Sequence, residues 1–237
     1  MASSEAVKLE PVKVLFLAVL ALFATPSPAG ATPVICIDPG NERTPDLSTE
    51  RIGPGSSTYK IKDGGGTAGE ATVVLQIGKK LRKILVRRDY EVVMTRTTME
   101  FDRGNGGNIA RARFCNRHHA ALMVRIHADG STDRSRHGAS TLFPAWHKGW
   151  TGDILPESRD AAALMQKALI AKTGALDLGL VRRSDLTGFN WADVPAILVE
   201  TGFMTNPSEG AKLRGDHYQW KVAHGLANGT SAFVPKP

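Results

Sequence analysis

From residue 32 onward the apolar residues gather in short runs separated by longer amphipathic stretches. PVICID at 33–38, YEVVMT at 90–95, ALMVRIH at 121–127, ASTLF at 139–143 and VPAILVE at 194–200 read as strands. Between the first two lies ATVVLQIGKKLRKILVRR, where Val73, Ile77, Leu81 and Ile84 recur every three or four positions and mark one buried helical face. Residues 108–117 read as a shorter helix, 157–174 as a third that stops at a Gly174 C-cap, and 216–233 as the last. Strands alternating with helices predict an α/β fold: a single domain with a mostly parallel twisted sheet flanked by helices on both faces.

Two long loops interrupt this order. Residues 39–69 are rich in Gly, Ser, Pro and Thr, and a connection of that length without an obvious element points to function. Residues 144–156 carry Trp146, His147 and Trp150, with the two tryptophans placed either to stack on a sugar or to lid the core. The pattern contains no internal repeat.

The first thirty residues behave differently. Lys8 and Lys13 precede VLFLAVLALFA, an eleven-residue apolar stretch, and TPSPAGA then supplies an A-x-A pattern ending at Ala31. This is the signature of a secretory signal peptide over 1–31, leaving 32–237 as the mature domain. A membrane span needs about 20 apolar residues, so no stable anchor is expected after cleavage. The expected location is secreted or extracytoplasmic, in the cell wall or periplasm. The net charge of +7 belongs to the mature part, since Glu5 and Glu10 offset Lys8 and Lys13. A basic exported protein is drawn to anionic surfaces, but scattered cations and export make nucleic acid a poor partner. Two cysteines make no disulfide framework; Cys36, inside an apolar strand, is expected to be a buried, inert thiol.

Candidate chemistry lies where the apolar runs end, because ligands of parallel α/β sheets bind beyond the carboxyl ends of the strands. PVICI ends in Asp38, ALMVRI in His127 and PAILV in Glu200, while Glu70 opens a helix whose start faces the same edge. Asp38 reads as a cap for the loop backbone. Glu70 suits a first helical turn whatever the function, and His127 has a backbone-bonding role open to it in the HADGS turn. Glu200 is partly desolvated by its position and needs a partner or a raised pKa. Histidine and carboxylates are the donors from which catalytic zinc draws three ligands, with a further Glu as general base. The compact motifs H-E-x-x-H, C-x-x-C, G-x-S-x-G and the P-loop are absent, so spacing alone leaves this reading unsupported.

The order of the segments resembles the zinc-dependent N-acetylmuramoyl-L-alanine amidases of the type 3 class, cell-wall hydrolases that cut peptidoglycan. The resemblance runs through VICIDPG, GE(x)4LQIGKKLRKIL, EVVMTRTT, ARARFCNR, LMVRIHADGS, PAILVETGFMTNPSE and the final helix, nearly all of the mature chain. IGPGSS, WTGDI and DLTGFNW add a likeness to an actinobacterial branch.

The resemblance implies a metal held by a histidine of D-P-G-H, the glutamate opening the first helix and the histidine ending the third strand segment. A glutamate ending the V-E-x-G-F strand acts on the water. These roles fall on Asn41, Glu70, His127 and Glu200. Asn41 departs from the pattern, and IDPGNER aligns without a gap, so no register slip restores a histidine. An amide oxygen is neutral and hard where zinc favours imidazole nitrogen, and Glu42 is the nearest group that could assist. The expected function is zinc-activated hydrolysis of the bond between N-acetylmuramic acid and L-alanine, with peptidoglycan as the partner. Arg96 and Arg125 are expected to be solvated or core-paired more than to orient substrate. The rivals are a degenerate peptidoglycan-binding module, for which Asn41 speaks, and a metallopeptidase acting on stem peptides.

Overall fold

All five apolar runs form strands, and they do so in the company of elements the hydrophobic pattern does not announce. The computed structural model describes residues 32–100 and 107–236; the expected signal peptide, 1–31, lies outside the described residues. In chain order the elements are β1 (Val34–Pro39), β2 (Asp46–Arg51), β3 (Tyr59–Asp63), α1 (Glu70–Arg87), β4 (Glu91–Met94), α2 (Asn108–Arg117) and β5 (Leu122–Asp129). They continue with β6 (Ala139–Pro144), α3 (Leu155–Thr173), β7 (Asp177–Arg183), α4 (Thr187–Asn190), β8 (Ala196–Phe203), α5 (Pro207–Arg214) and α6 (Asp216–Phe233).

Six strands pair in the order β4-β1-β5-β8-β6-β7, and β2 with β3 forms a separate hairpin. Within the six-stranded sheet only β8 and β6 run antiparallel, so the expectation of a mostly parallel sheet holds. The inner strands β1, β5 and β8 read as continuous apolar runs because both faces are covered.

Side-chain alternation sorts each strand between two cores. Ile35, Ile37, Leu122, Val124, Ile126, Ile197 and Val199 join the larger cluster, under helices α1, α3 and α6. Cys36, Met123, Ala196 and Leu198 join the smaller one, with Phe114 and Cys115 of α2 and Phe189 of α4. The same alternation carries Asp38, Arg125, His127 and Glu200 onto the smaller cluster's face, nearer the carboxyl ends of their strands. One face of the sheet is therefore mostly apolar, and the other changes from core to polar cleft as the strands run toward their ends.

Two expectations need correction, and one strand had no expectation attached to it. The 39–69 loop holds the β2–β3 hairpin. Its strands, DLSTER and YKIKD, are mostly solvent-facing and polar, so no apolar alternation announces them. Among the groups that tie the hairpin down is Glu50, which is buried and accepts from the N–H groups of Asn108 and Ile109 at 2.8 and 3.0 Å, capping α2 in trans. Strand β7 was hidden by Gly179, which sits at φ 73 inside it, and by its exposed pattern. Cys36 is also no free thiol: it is bonded to Cys115 with Cα atoms 5.6 Å apart, across a sequence separation of 79. Both cysteines face the smaller core, and strand pairing brings them together in a way spacing does not reveal.

Candidate active site

Glu70 is the first residue of α1 and is almost fully buried. Its Oε1 accepts from the Ala128 N–H at 3.2 Å and lies 3.1 Å from Nδ1 of His127; its Oε2 accepts from the Thr67 N–H at 2.9 Å. Burial alone would raise its pKa. The hydrogen bond and charge of His127, together with the two backbone N–H groups, outweigh burial and hold the carboxyl below its ordinary value. His127 thus bonds a carboxylate, and not the turn backbone that its sequence also allowed.

Asn41 lies on the same spot. Its φ of 51° is left-handed, a conformation that Asn and His adopt more readily than other L-residues. A Cβ placed on Gly66 would lie 2.3 Å from both Nδ2 of Asn41 and Oε2 of Glu70, so the two side chains converge on one point and only glycine fits between them and the loop. A Cβ on Gly40 would likewise meet the His127 ring at 2.2 Å. Asn41, Glu70 and His127 are therefore brought together on one stretch of the rim.

Glu200 completes the rim: it is the register partner of His127 across β5 and β8. Its pKa is pushed well above the ordinary value, first by burial, then by the negative charges of Glu70 and Asp129, against a weaker opposing pull from Arg183 and Arg125. Among the described residues three buried side-chain atoms lack a hydrogen-bond partner: Nε2 of His127, Oε2 of Glu200 and Oγ1 of Thr187. Buried polar atoms are usually satisfied, so two unpartnered ones on register neighbours mark a place built to receive something polar.

Asp38 plays a different part from the backbone cap expected of it. Fully buried, it accepts from Oγ1 of Thr95 at 2.6 Å, from Nη1 of Arg111 at 2.7 Å and from Nε of Arg125 at 2.8 Å. Burial raises its pKa, but the charges of Arg111 and Arg125 and these hydrogen bonds leave it well below the usual carboxylate range. Arg96 then ties the loop to α1 by donating to the carbonyls of Pro39, Gly40 and Ala71 at 2.8–2.9 Å. Arg96 and Arg125 are core-paired, as expected. Arg111 was missed; its only sequence signal is a cation on the α2 face shared by Phe114 and Cys115. Glu42 is already engaged: it accepts from Nη2 of Arg111 at 3.0 Å, and its own N–H donates to Asp63 at 2.7 Å. It is held away from the role of assisting Asn41. The tryptophans divide, with Trp150 stacked on His147 and bonded to the Pro54 carbonyl while Trp146 stays 65% exposed.

A family profile described as N-acetylmuramoyl-L-alanine amidase matches residues 35–232. The chain belongs to this amidase family. It is 31% identical to N-acetylmuramoyl-L-alanine amidase Rv3717 of Mycobacterium tuberculosis over 93% of this chain and 97% of that protein. Against AmiC of Neisseria meningitidis, of the same activity by name, it is 26% identical over 91% of its own length but only 57% of that longer protein. Among solved structures, the apo form of the N-acetylmuramyl-L-alanine amidase Ami1 from Mycobacterium abscessus superposes with a TM-score of 0.74 at 26% identity. That match covers 85% of this chain and 98% of that one.

The donors at the rim decide what an ion would meet. Among the described residues no group of three or more His, Cys, Asp and Glu side chains is arranged to hold a metal. Beside Glu70 and His127 the next donor is the amide of Asn41, and turning that amide about its last bond would present Oδ1 in place of Nδ2. One carboxylate, one imidazole and one neutral oxygen fit zinc, with a weakened third corner.

Proposed function

We propose that this chain is an exported, zinc-dependent N-acetylmuramoyl-L-alanine amidase. It hydrolyses the amide joining the lactyl group of N-acetylmuramic acid to the L-alanine of the stem peptide. The observation that carries the reading is the pair of buried, unpartnered atoms, Nε2 of His127 and Oε2 of Glu200, on register neighbours beside Glu70. Export is supported by the charged start, apolar stretch and A-x-A pattern of residues 1–31, and by the Cys36–Cys115 bond, which suits an oxidising compartment.

Glu70 and His127 would hold the zinc ion, with Asn41 as a neutral third donor. When bound, zinc supplies Lewis acidity toward the lactyl amide carbonyl and lowers the pKa of a water. Glu200 takes the proton of the attacking water on its carboxylate and returns it to the departing nitrogen of L-alanine. Its proton affinity, raised by burial and by the charges of Glu70 and Asp129, suits a group that must both accept and release a proton. The N–H groups of Thr67 and Ala128 fix the Glu70 carboxylate, and Arg96 fixes the backbone that presents Asn41.

The test measures zinc in the purified mature protein by plasma mass spectrometry, together with release of stem peptide from muropeptides. Glu200→Gln is expected to keep the metal and lose about 100-fold or more of the turnover, the scale of general acid–base catalysis. Undiminished turnover after chelation removes zinc from the reading. A parent protein that releases no stem peptide with zinc supplied removes the amidase itself.

A further inference from the structure

Among the described residues, strand β4 is an edge of the sheet, bonded on one side only, to β1. The N–H of Thr95 donates to Ile37 in β1, so by alternation Val92 and Met94 turn their N–H and C=O groups to the open side. Edges of this kind are templates for another strand, and proteins commonly blunt or cover them. Here the edge opens into a cavity of about 890 Å3 that shares no residue with the catalytic rim.

The walls of that cavity differ in character. Val92 packs toward the larger core and Val93 toward the smaller, so the floor straddles the sheet edge. Phe114 and His118 of the α2 end form one wall, their rings 4.6 Å apart. The other wall is α1, which presents Lys79, Arg82, Lys83 and Arg87 on one helical face with Val86, 47% exposed, among them. The cations are spaced i, i+3, i+4 and i+8 and run along about 12 Å of helix. None of the four makes an ion pair among the described residues, and no acidic side chain among them lines the cavity. Neighbouring Lys80, by contrast, is tied to Asp216 at 2.8 Å.

We propose that this groove docks an extended acidic segment of a partner protein, which adds to β4 as a further strand. The added strand would bond the outward groups of Val92 and Met94. Its side chains alternate every residue, so acids at every second position, roughly 7 Å apart, would meet the α1 cations. Apolar residues between them would meet Val93, which is partly buried at the cavity floor. An anionic polymer without a peptide backbone would satisfy the cations but leave the edge unbonded, so the observations favour the peptide.

The probe is an N-acetylated, C-amidated eight-residue peptide alternating Glu and Val, titrated into the mature protein by fluorescence anisotropy at low salt. Saturable binding is expected, with slowed hydrogen exchange at the Val92 and Met94 amides. Arg82→Glu with Lys83→Glu, both at exposed helix positions, is expected to weaken binding at least tenfold while the thermal midpoint stays at the parental value. Val92→Pro, which removes an outward donor and no bond to β1, is expected to weaken it similarly. Octaglutamate is expected to bind at least tenfold more weakly than the alternating peptide. Absence of saturable binding overturns the proposal. Equal binding of octaglutamate or of polyglycerol phosphate without protection at Val92 and Met94 also overturns it, leaving a charged stripe that only guards the edge.

Discussion

Two stretches of the same sheet rim treat charge in opposite ways. At the end of β1, Asp38 is fully buried and every neighbour answers it: Thr95, Arg111 and Arg125 all donate to its oxygens. At the ends of β5 and β8, Glu200 and His127 are register partners, yet each keeps a buried atom without a partner. The contrast shows in proton affinity, since the Asp38 carboxyl is held down and the Glu200 carboxyl is pushed up. A carboxylate whose charge is fully compensated is a beam. One whose charge is resisted by burial and by like charges is ready to exchange a proton.

The largest expected effect lies on the compensated side. Asp38→Asn leaves Arg125 buried without its anion and Arg111 with Glu42 in place of two carboxylates, and is expected to destabilise the domain by about 3–5 kcal/mol, as breaking a buried ion pair does. The pH dependence has a definite sign. Because the folded pKa is depressed, the stability Asp38 contributes is complete above its unfolded value of 3.8 and is lost as pH falls from there toward the folded value. Urea unfolding at pH 3 and pH 7 should show the parent–variant difference shrinking at the lower pH. A constant difference would mean that Asp38 is held by packing more than by charge.

Next in size is the bond beneath that rim. Replacing both cysteines by Ala removes a link across a separation of 79 residues. Loop entropy sets a ceiling of about 4–5 kcal/mol for such a link, and about 2–4 kcal/mol is the usual range. The effect is expected in unfolding midpoints with zinc content unchanged, because the pair lies on the floor of the smaller core. Loss of the metal along with stability would show that the pair positions the rim directly.

How far the sequence can be read follows the same division. The strands of the six-stranded sheet that carry site residues were legible because burial on both faces makes them continuous apolar runs, and Glu70, His127 and Glu200 were legible because each interrupts such a run or opens the helix beside it. What escaped depends on pairings distant in sequence. Arg111 reaches Asp38 across 73 residues and Glu50 reaches Asn108 across 58. Neither leaves a local pattern. The β2–β3 hairpin and β7 were hidden because solvent-facing strands need no apolar period. Asp38 was misread for the same reason: a turn-like D-P-G looks locally like a loop cap, and its arginines come from other elements.

Asn41 stands between the two stretches, held by the compensated one and facing the exchanging one. Its left-handed φ accommodates His as well as Asn, so Asn41→His is expected to fold normally. The change would complete a His2Glu donor set of the kind that catalytic zinc uses. Zinc affinity, read by isothermal titration, is expected to rise at least tenfold, and stem-peptide release to rise with it. Equal affinity would mean that the amide already serves as a full donor. Tighter zinc without faster release would mean that the third corner does not limit turnover.

The smallest expected effect on stability belongs to Glu200, and it sharpens the contrast most. Glu200→Gln removes a carboxyl that burial and the charges of Glu70 and Asp129 disfavour as an anion, so at pH 5 stability is expected to change by no more than about 1 kcal/mol. The sign of the pH trend should be the reverse of that at Asp38. With its folded pKa raised, any stability Glu200 lends is present below its unfolded value of 4.5 and lost as pH rises through the folded one. The Gln variant, stripped of metal with a chelator so that the carboxyl is read alone, should therefore gain on the parent over the window that opens as pH rises above the unfolded value. Urea midpoints across that window measure it. A variant that instead loses ground with rising pH would place Glu200 among the compensated charges, and the acid–base role would pass to another group on the rim.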